Sequence, residues 1–204
     1  MSGPIEAVVF DIGRVLIEWD LRCLLRKLVD DEDEVQWIFE NVVSEEWHFE
    51  HDRGRPLAEM VPERIAAFPG YEFAIRAYAT RFIESVPGPV PGSAELVEAL
   101  AARGVPLYAV TNFGAEFWEI FRPTEPVLDH FCDIVVSGVE KLAKPDPAIF
   151  RLAERRFGHA PEAMLFIDDS ERNVEAARVC GWQAHHFIDA ESLAAELRRR
   201  GLIG

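Results

Sequence analysis

The stretch VVFDIGRVLIEWD, Val8–Asp20, decides the fold class, because a short apolar run in it ends in a carboxylate, Asp11. Buried strands of open parallel sheets deliver polar residues in this way to the edge where ligands bind. Gly13 stands two residues later, so no second carboxylate accompanies Asp11 there to serve as a general acid or base. The stretch therefore raises two questions: whether Asp11 is a nucleophile, and how its chemistry proceeds without that partner.

Similar apolar runs recur along the chain and alternate with segments whose apolar residues have helical spacing. The predicted strands are Ala7–Phe10, Val105–Val110, Asp133–Ser137, Ala163–Asp168 and Gln183–Phe187. The predicted helices are Ala94–Arg103, Pro147–Phe157, Ser170–Cys180, with Val174, Ala177 and Val179 on its buried face, and Ser192–Arg200. This alternation predicts an α/β fold with a Rossmann-like, doubly wound parallel sheet.

One region interrupts the alternation. From about Asp20 to about Glu84 there is no strand-like run, and the apolar residues have helical spacing instead. The region ends at VPGPVPGS, Val86–Ser93, whose prolines and glycines cannot continue a helix. The sequence therefore predicts an α/β core formed by residues 1–16 and 88–204, with residues 17–87 inserted after the first strand as an all-helical cap.

The composition restricts the classes of partner. The chain has 204 residues and a formal net charge of -15, which disfavours nucleic acid and anionic membranes as partners. Its 3 cysteines are widely spaced and indicate reduced thiols in a cytoplasmic protein. Neither a signal peptide nor a membrane-spanning run is predicted. A small anionic substrate is expected, and the apolar cap helices suit a monomer or a homodimer equally.

Polar residues follow the predicted strands at the edge where a parallel sheet binds ligands. A carboxylate can act as a nucleophile, a hydroxyl or amide can hold phosphoryl oxygens, and a lysine can offset their charge. Two adjacent acids can hold Mg²⁺. Each residue alone has an ordinary explanation, such as a helix N-cap for Asp11, but the ordered set indicates a site. Its members are Asp11, Thr111, Asn112, Lys144, Asp168 and Asp169.

Four segments in this order resemble the motifs of the haloacid dehalogenase superfamily, in its branch with a helical cap after the first motif. They are FDIGRV, VTN, the lysine of KPDPAIF, and FIDDSERN. The resemblance covers essentially the whole chain. It is closest to small bacterial members whose first motif reads FD-x-G-x-V, which include a sugar-1-phosphate phosphatase type.

The resemblance implies a role for each matching residue. Asp11 would attack phosphorus and become an aspartyl-phosphate, and Lys144 would pair with the nucleophile and the phosphate. Thr111 and Asn112 would bind phosphoryl oxygens. The adjacent Arg14 can hold an anion but cannot act as an acid at neutral pH.

The resemblance also implies a Mg²⁺ site. Asp11 and Asp169 would bind the metal directly and Asp168 through water. The backbone carbonyl of Gly13 would complete the protein ligands, so glycine does not prevent metal binding there. Asn173 would support the loop that carries the two adjacent acids, although a place on the solvated face of a helix is an equal alternative.

Gly13 removes the acid–base carboxylate that phosphatases of this family usually carry, a group worth typically about 10²–10⁴-fold in rate. Three outcomes follow: a slow or leaving-group-selective phosphatase, a substitute from the cap, or a different reaction. The segment EEWHFEHDRGR, Glu45–Arg55, offers substitutes, although a solvated turn explains any single one of them better. They are His48, Glu50, His51, Asp52 and Arg53.

Three functions remain open from the sequence. The first is a Mg²⁺-dependent phosphohydrolase of a small phosphorylated metabolite. The second is a 2-haloacid dehalogenase, in which Asp11 would displace halide from carbon without a metal. The third is a catalytically weakened binding protein that keeps the fold. The pair Asp168 and Asp169 favours the first, because adjacent acids require a cation, whereas such dehalogenases have a segment rich in serine and asparagine there.

Overall fold

A five-stranded parallel sheet forms the centre of the computed structural model, which describes residues 3–204. The strands are β1 (Ala7–Phe10), β2 (Ile17–Glu18), β3 (Gly88–Pro89), β4 (Leu107–Thr111), β5 (Asp133–Val136), β6 (Met164–Asp168) and β7 (Gln183–His186). The sheet has the order β5-β4-β1-β6-β7, and β2 pairs with β3 in a separate antiparallel ribbon. In the central strand β1, Phe10 is in register with Ala109 of β4 and Ile167 of β6. The residues that follow β1, β4 and β6 therefore meet at one edge.

The described part of the chain contains eleven α-helices. They are α1 (Leu21–Leu25), α2 (Glu32–Asn41), α3 (Glu45–Asp52), α4 (Leu57–Ala67), α5 (Glu72–Arg81), α6 (Ser93–Ala102), α7 (Ala115–Phe121), α8 (Ser137–Glu140), α9 (Pro147–Phe157), α10 (Glu171–Val179) and α11 (Ala190–Arg199). Short 3-10 turns cover Pro69–Tyr71, Phe82–Ser85, Arg122–Thr124, Pro126–His130 and Pro161–Ala163. None of the helices is long and apolar enough to cross a bilayer.

Both faces of the sheet are buried, which explains why β1 is apolar at every position. Val8 and Phe10 belong to one hydrophobic cluster, and Ala7 and Val9 belong to the other. Successive side chains of a strand point to opposite faces, so each cluster lies on one side of the sheet. The predicted α/β class and doubly wound sheet are confirmed.

The segment between β2 and β3 contains α1–α5 and no strand. The two strands that flank this segment pair with each other, because Ile17 pairs with Pro89 and Glu18 with Gly88. This geometry agrees with the predicted helical insertion, and the division into a core and a cap at residues 16/17 and 87/88 stays a prediction.

Two local predictions were incomplete. The seven-residue helix α7 was not predicted, although Phe117 and Phe121 on it are buried. Val179 was assigned to the buried face of α10 but is 75% exposed. It lies five residues after the buried Val174, a spacing that places the two side chains on different faces of a helix.

Candidate active site

The ammonium group of Lys144 lies between two carboxylates at the edge of the sheet. Its Nζ donates to Oδ1 of Asp11 at 2.8 Å and to Oδ2 of Asp168 at 2.7 Å. Asp11 directly follows β1, and Asp168 is the last residue of β6. All three side chains are buried, so their interaction is screened little by solvent. The lysine therefore holds two like charges together, and its contact with Asp11 is the pairing that the resemblance implies.

Burial changes the proton affinity of this group. Desolvation raises the pKa of Asp11 to about 7, against the opposing effect of Lys144, and the charges of Asp168 and Asp169 raise it further. Burial alone would lower the pKa of Lys144, but the two neighbouring carboxylates raise it overall. A nucleophilic carboxylate must be ionised. Additional positive charge beside Asp11 would therefore favour the reactive form.

Asp11, Asp168 and Asp169 form a cluster of acids that fits a divalent cation. One carboxylate oxygen from each lies within 4.8 Å of the others. One lysine offsets three carboxylates only in part, and burial together with Asp168 raises the pKa of Asp169. Oxygen ligands with excess negative charge are the donors that Mg²⁺ prefers. The chemistry of the predicted acids thus fits this metal.

The orientation of Asp168 is fixed by hydrogen bonds from the start of α10. Its Oδ1 accepts from the backbone N–H of Ser170 at 2.8 Å and from Nδ2 of Asn173 at 3.0 Å. The same amide group lies 3.1 Å from Oδ2. Asn173 is 9% exposed, so it does not occupy the solvated face of the helix. It holds the carboxylate that pairs with Lys144.

Two residues at the end of β4, Thr111 and Asn112, were predicted to bind phosphoryl oxygens, and the structure gives them different surroundings. The hydroxyl of Thr111 is buried and has no hydrogen-bond partner within residues 3–204. The amide of Asn112 donates to the carbonyl of Lys144 at 3.0 Å and accepts from its N–H at 2.9 Å. Asn112 therefore positions the lysine, while the buried hydroxyl of Thr111 keeps an unused hydrogen-bonding capacity.

A cavity of about 210 Å³ opens in front of Asp11. Arg14, which has φ +59°, stacks on Trp19 at 4.8 Å from the ring centre and pairs with Glu45. The residues that line the cavity are Asp11, Gly13, Arg14, Trp19, Glu45, His48, Phe49, Asp52, Asn112, Asp169, Ser170 and Asn173.

One face of α3 supplies four of these lining residues. Glu45, His48, Phe49 and Asp52 follow the i, i+3, i+4, i+7 spacing of one helical face. Composition alone does not distinguish Asp52 from the other four polar residues of this segment that were predicted as substitutes. The helical period within EEWHFEHD would have separated it from Glu50, which faces away from the cavity.

The predicted substitutes for the missing acid are therefore unequal. Glu50 is exposed and pairs with Arg55. His51 is buried and contacts the carbonyl of Arg55 through Nδ1 at 2.9 Å, outside the cavity. His48 does line the cavity, but its Nδ1 lies 2.8 Å from Oη of Tyr78, and burial lowers its pKa to about 3. His48 is thus neutral at pH 7.

Asp52 is the buried carboxyl of this face. It is 5% exposed, and its Oδ1 lies 3.4 Å from Nε2 of His48 without a hydrogen-bond partner in the described chain. Burial raises the pKa of Asp52 to about 8, opposed by a backbone hydrogen bond from Gly114, and the charge of Asp11 raises it further. The side chain is therefore a neutral acid at pH 7.

Backbone contacts fix α3 against the strand ends. Oγ of Ser137 donates to the carbonyl of Asp52 at 2.5 Å and accepts from the N–H of Phe113 at 2.9 Å. Gly114 packs under the His51 ring so closely that a Cβ there would lie 2.0 Å from a ring carbon. These contacts set the position of Asp52 relative to β4.

Comparisons with known proteins agree with this architecture. A sesquiterpene phosphatase of Aspergillus oryzae is 25% identical over 98% of both chains. The phosphoglycolate phosphatase of Escherichia coli is 32% identical, but only over 45% of this chain and 36% of its own length. A haloacid dehalogenase family enzyme from Bacteroides thetaiotaomicron superimposes with a TM-score of 0.74 at 23% identity, over 96% of this chain and 100% of that one.

The structure of an L-2-haloacid dehalogenase is less similar to this chain than that of the Bacteroides enzyme. L-2-haloacid dehalogenase from Xanthobacter autotrophicus matches with a TM-score of 0.60 at 17% identity, over 98% of this chain and 84% of that one. The profile of the haloacid dehalogenase-like hydrolases matches residues 5–181. This match covers most of the chain and includes every predicted site residue, which confirms the resemblance found in the sequence. The chain belongs to the haloacid dehalogenase-like hydrolases.

Proposed function

We propose that this hydrolase is a Mg²⁺-dependent phosphatase of a small phosphorylated metabolite. The observation that carries the proposal is the group of three acids around one buried lysine: Asp11, Asp168 and Asp169 with Lys144. A displacement of halide from carbon has no need of three clustered carboxylates, whereas a phosphoryl group and a divalent cation do. The phosphatase relatives support the same choice.

Asp11 is the proposed nucleophile. One carboxylate oxygen attacks phosphorus while the bond to the leaving oxygen breaks, and the bonding electron pair goes to that oxygen. Lys144 offsets the charge of the nucleophile and the phosphoryl group, and the hydroxyl of Thr111 donates to a phosphoryl oxygen. Asp11, Asp169 and the carbonyl of Gly13 would hold Mg²⁺ directly and Asp168 would hold it through water, and the cation would offset the negative charge of these carboxylates and of the phosphate. A relative from Bacteroides thetaiotaomicron has been crystallised with magnesium and inorganic phosphate.

Asp52 is the proposed substitute for the acid that is absent at Gly13. Asp52 lines the cavity and is buried, and unlike Asp11 it forms no ion pair with a lysine anywhere in residues 3–204. Its proton would pass to the leaving oxygen as the ester bond breaks. The resulting carboxylate would then take a proton from the water that attacks the aspartyl-phosphate and releases Asp11. Neutral His48, 3.4 Å away, would position the carboxyl.

A metal-dependent substrate panel tests the proposed function. The protein is assayed with p-nitrophenyl phosphate and sugar phosphates, in Mg²⁺ and after treatment with EDTA. We expect phosphate release that EDTA abolishes and that Asp11→Asn eliminates. Activity that is indifferent to EDTA would refute the metal requirement. Halide release from 2-chloropropionate without metal would instead identify a dehalogenase.

A further inference from the structure

A second recess, of about 450 Å³, adjoins the cavity in front of Asp11. Phe49 lines both, and Lys144, which reaches Asp11 at 2.8 Å, also lines the recess. Its walls come from the end of α3, the loop between α8 and α9, and the start of α10. The recess therefore lies beside the cavity in front of Asp11, between the end of α3 and the loop that carries Lys144.

Three basic side chains line this recess: Arg53, Lys141 and Arg172. All three are exposed, and across residues 3–204 none forms an ion pair or a side-chain hydrogen bond. The acid on the lining, Asp146, already accepts a hydrogen bond from the N–H of Ala148 as the N-cap of α9. The chain has a net charge of -15, so a recess lined by three unpaired cations differs from the chain as a whole in the sign of its charge.

The backbone brings two of these cations together from different parts of the chain. Arg53 follows α3, and Lys141 follows α8 with φ +56°. Gly54, with φ +92°, approaches Lys141 so closely that a Cβ there would lie 2.9 Å from its Cγ. The segments that carry Arg53 and Lys141 are therefore neighbours in the wall of the recess, where a bound anion would offset the charge of both side chains.

We propose that this recess binds a second anionic group of the substrate, a phosphate or a carboxylate on the alcohol part of the ester. The inference rests on the proposed phosphatase function and narrows its substrate class to esters with two anionic ends. Arginine matches both kinds of oxyanion through paired N–H donors. Lys144 would receive the scissile phosphate beside the acids proposed to hold Mg²⁺, and Arg53, Lys141 and Arg172 would receive the other end.

Matched substrate pairs test the proposal. Phosphoglycolate and ethyl phosphate differ by a carboxylate in place of a methyl group, and glucose 1,6-bisphosphate differs from glucose 1-phosphate by a second phosphate. The measured quantity is the ratio of kcat/KM within each pair. We expect the wild-type protein to prefer the doubly anionic member of at least one pair, and the preferred pair identifies carboxylate or phosphate.

Charge-removing variants locate the preference. Arg53→Gln, Lys141→Gln and Arg172→Gln should each lower the ratio by about 3- to 10-fold, as expected for charge-assisted contacts near the surface. Arg151→Gln and Arg155→Gln on α9 are the controls, because they remove the same charge from residues outside the recess. The controls should leave the ratio unchanged.

Three results would overturn the proposal: no preference in either pair, an equal loss in the control variants, or ratios insensitive to all three recess substitutions.

A calorimetric titration of Asp11→Asn with each member of the pairs separates this failure from failure of the phosphatase function. The wild-type protein could hydrolyse no phosphate ester and still bind the doubly anionic member of a pair more tightly than the singly anionic one. If Arg53→Gln abolishes this difference in affinity, the proposed anion site in the recess is supported. Equal binding of both members refutes it.

Discussion

Replacing Asp52 by asparagine should make the protein more stable and less active. The folded protein holds the pKa of this carboxyl at about 8, whereas the ordinary value is 3.8. Between these values the unfolded chain has lost the proton and the folded chain keeps it. Folding is then linked to proton uptake, so the free energy of unfolding decreases as pH rises from about 4 to about 8.

The size of the effect follows from the shift. One pKa unit corresponds to about 1.4 kcal/mol, so Asp52 lowers the free energy of unfolding at pH 7 by up to about 4 kcal/mol. Asp52→Asn removes this titration while keeping the shape of the side chain. The variant should be equal to the wild type near pH 4 and more stable at pH 7, with an increase in Tm of up to about 8–16 °C.

Activity should change in the opposite direction. Loss of a general acid lowers kcat by about 10²–10⁴-fold for a poor leaving group such as glycerol, and by less for p-nitrophenolate, which needs no proton. In the wild type, kcat for the poor leaving group should fall as pH rises through 8, because Asp52 then loses its proton. The measurements are urea unfolding at several pH values and kcat for glycerol phosphate and p-nitrophenyl phosphate.

Glu50→Gln is the matched control, since Glu50 lies on the same helix, is exposed and faces away from the cavity. It should change neither stability nor kcat appreciably. Wild-type turnover of glycerol phosphate by Asp52→Asn would refute the acid role. A loss of stability at pH 7 would show that the carboxyl is ionised in the folded protein, and the reasoning from burial would be wrong.

Three further predictions follow from the same geometry. Gly13→Asp should fold normally, because a Cβ there meets no atom within 4 Å. It should restore kcat in the Asp52→Asn background, and in the wild-type background it should raise kcat by less than about 3-fold. Gly114→Ala should lower the free energy of unfolding by about 1–3 kcal/mol, measured by urea titration, since it forces His51 out of position. Asp169→Asn should raise the Mg²⁺ concentration for half-maximal activity by about 10-fold or more, whereas unchanged metal dependence would remove Asp169 from the site.

The sequence was sufficient for the sheet and for the residues at its edge. A strand buried on both faces leaves a continuous apolar run, so β1, β4, β5 and β6 were recognisable, and the polar residues after them converge because parallel strands end together. The helix α7 escaped prediction because its seven residues cover less than two full turns, too few to establish a period.

The role of Asp52 could not be predicted in the same way, because it depends on burial by residues distant in sequence. Its carbonyl is held by Ser137 and its side chain lies beside His48, and only the folded chain removes water from this carboxyl. Helical spacing identifies the face of α3 on which Asp52 lies, but it does not show that this face closes over Asp11. The electrostatic consequence of that closure, a neutral acid at pH 7, follows from tertiary structure.

If Asp52 supplies the proton, acid–base catalysis depends on how α3 is held against the strand ends. An acid at position 13 would move with β1 and Asp11, whereas Asp52 is held by Ser137 and by the contact of His51 with Gly114. Arg53, the next residue, lines the recess proposed for the second anionic group. Because Arg53 directly follows Asp52 at the end of α3, an anion bound by Arg53 would also help to hold this end of the helix in place. Binding of the remote end of the substrate would then contribute to proton transfer at the scissile bond, which is how binding energy away from the reacting atoms raises kcat.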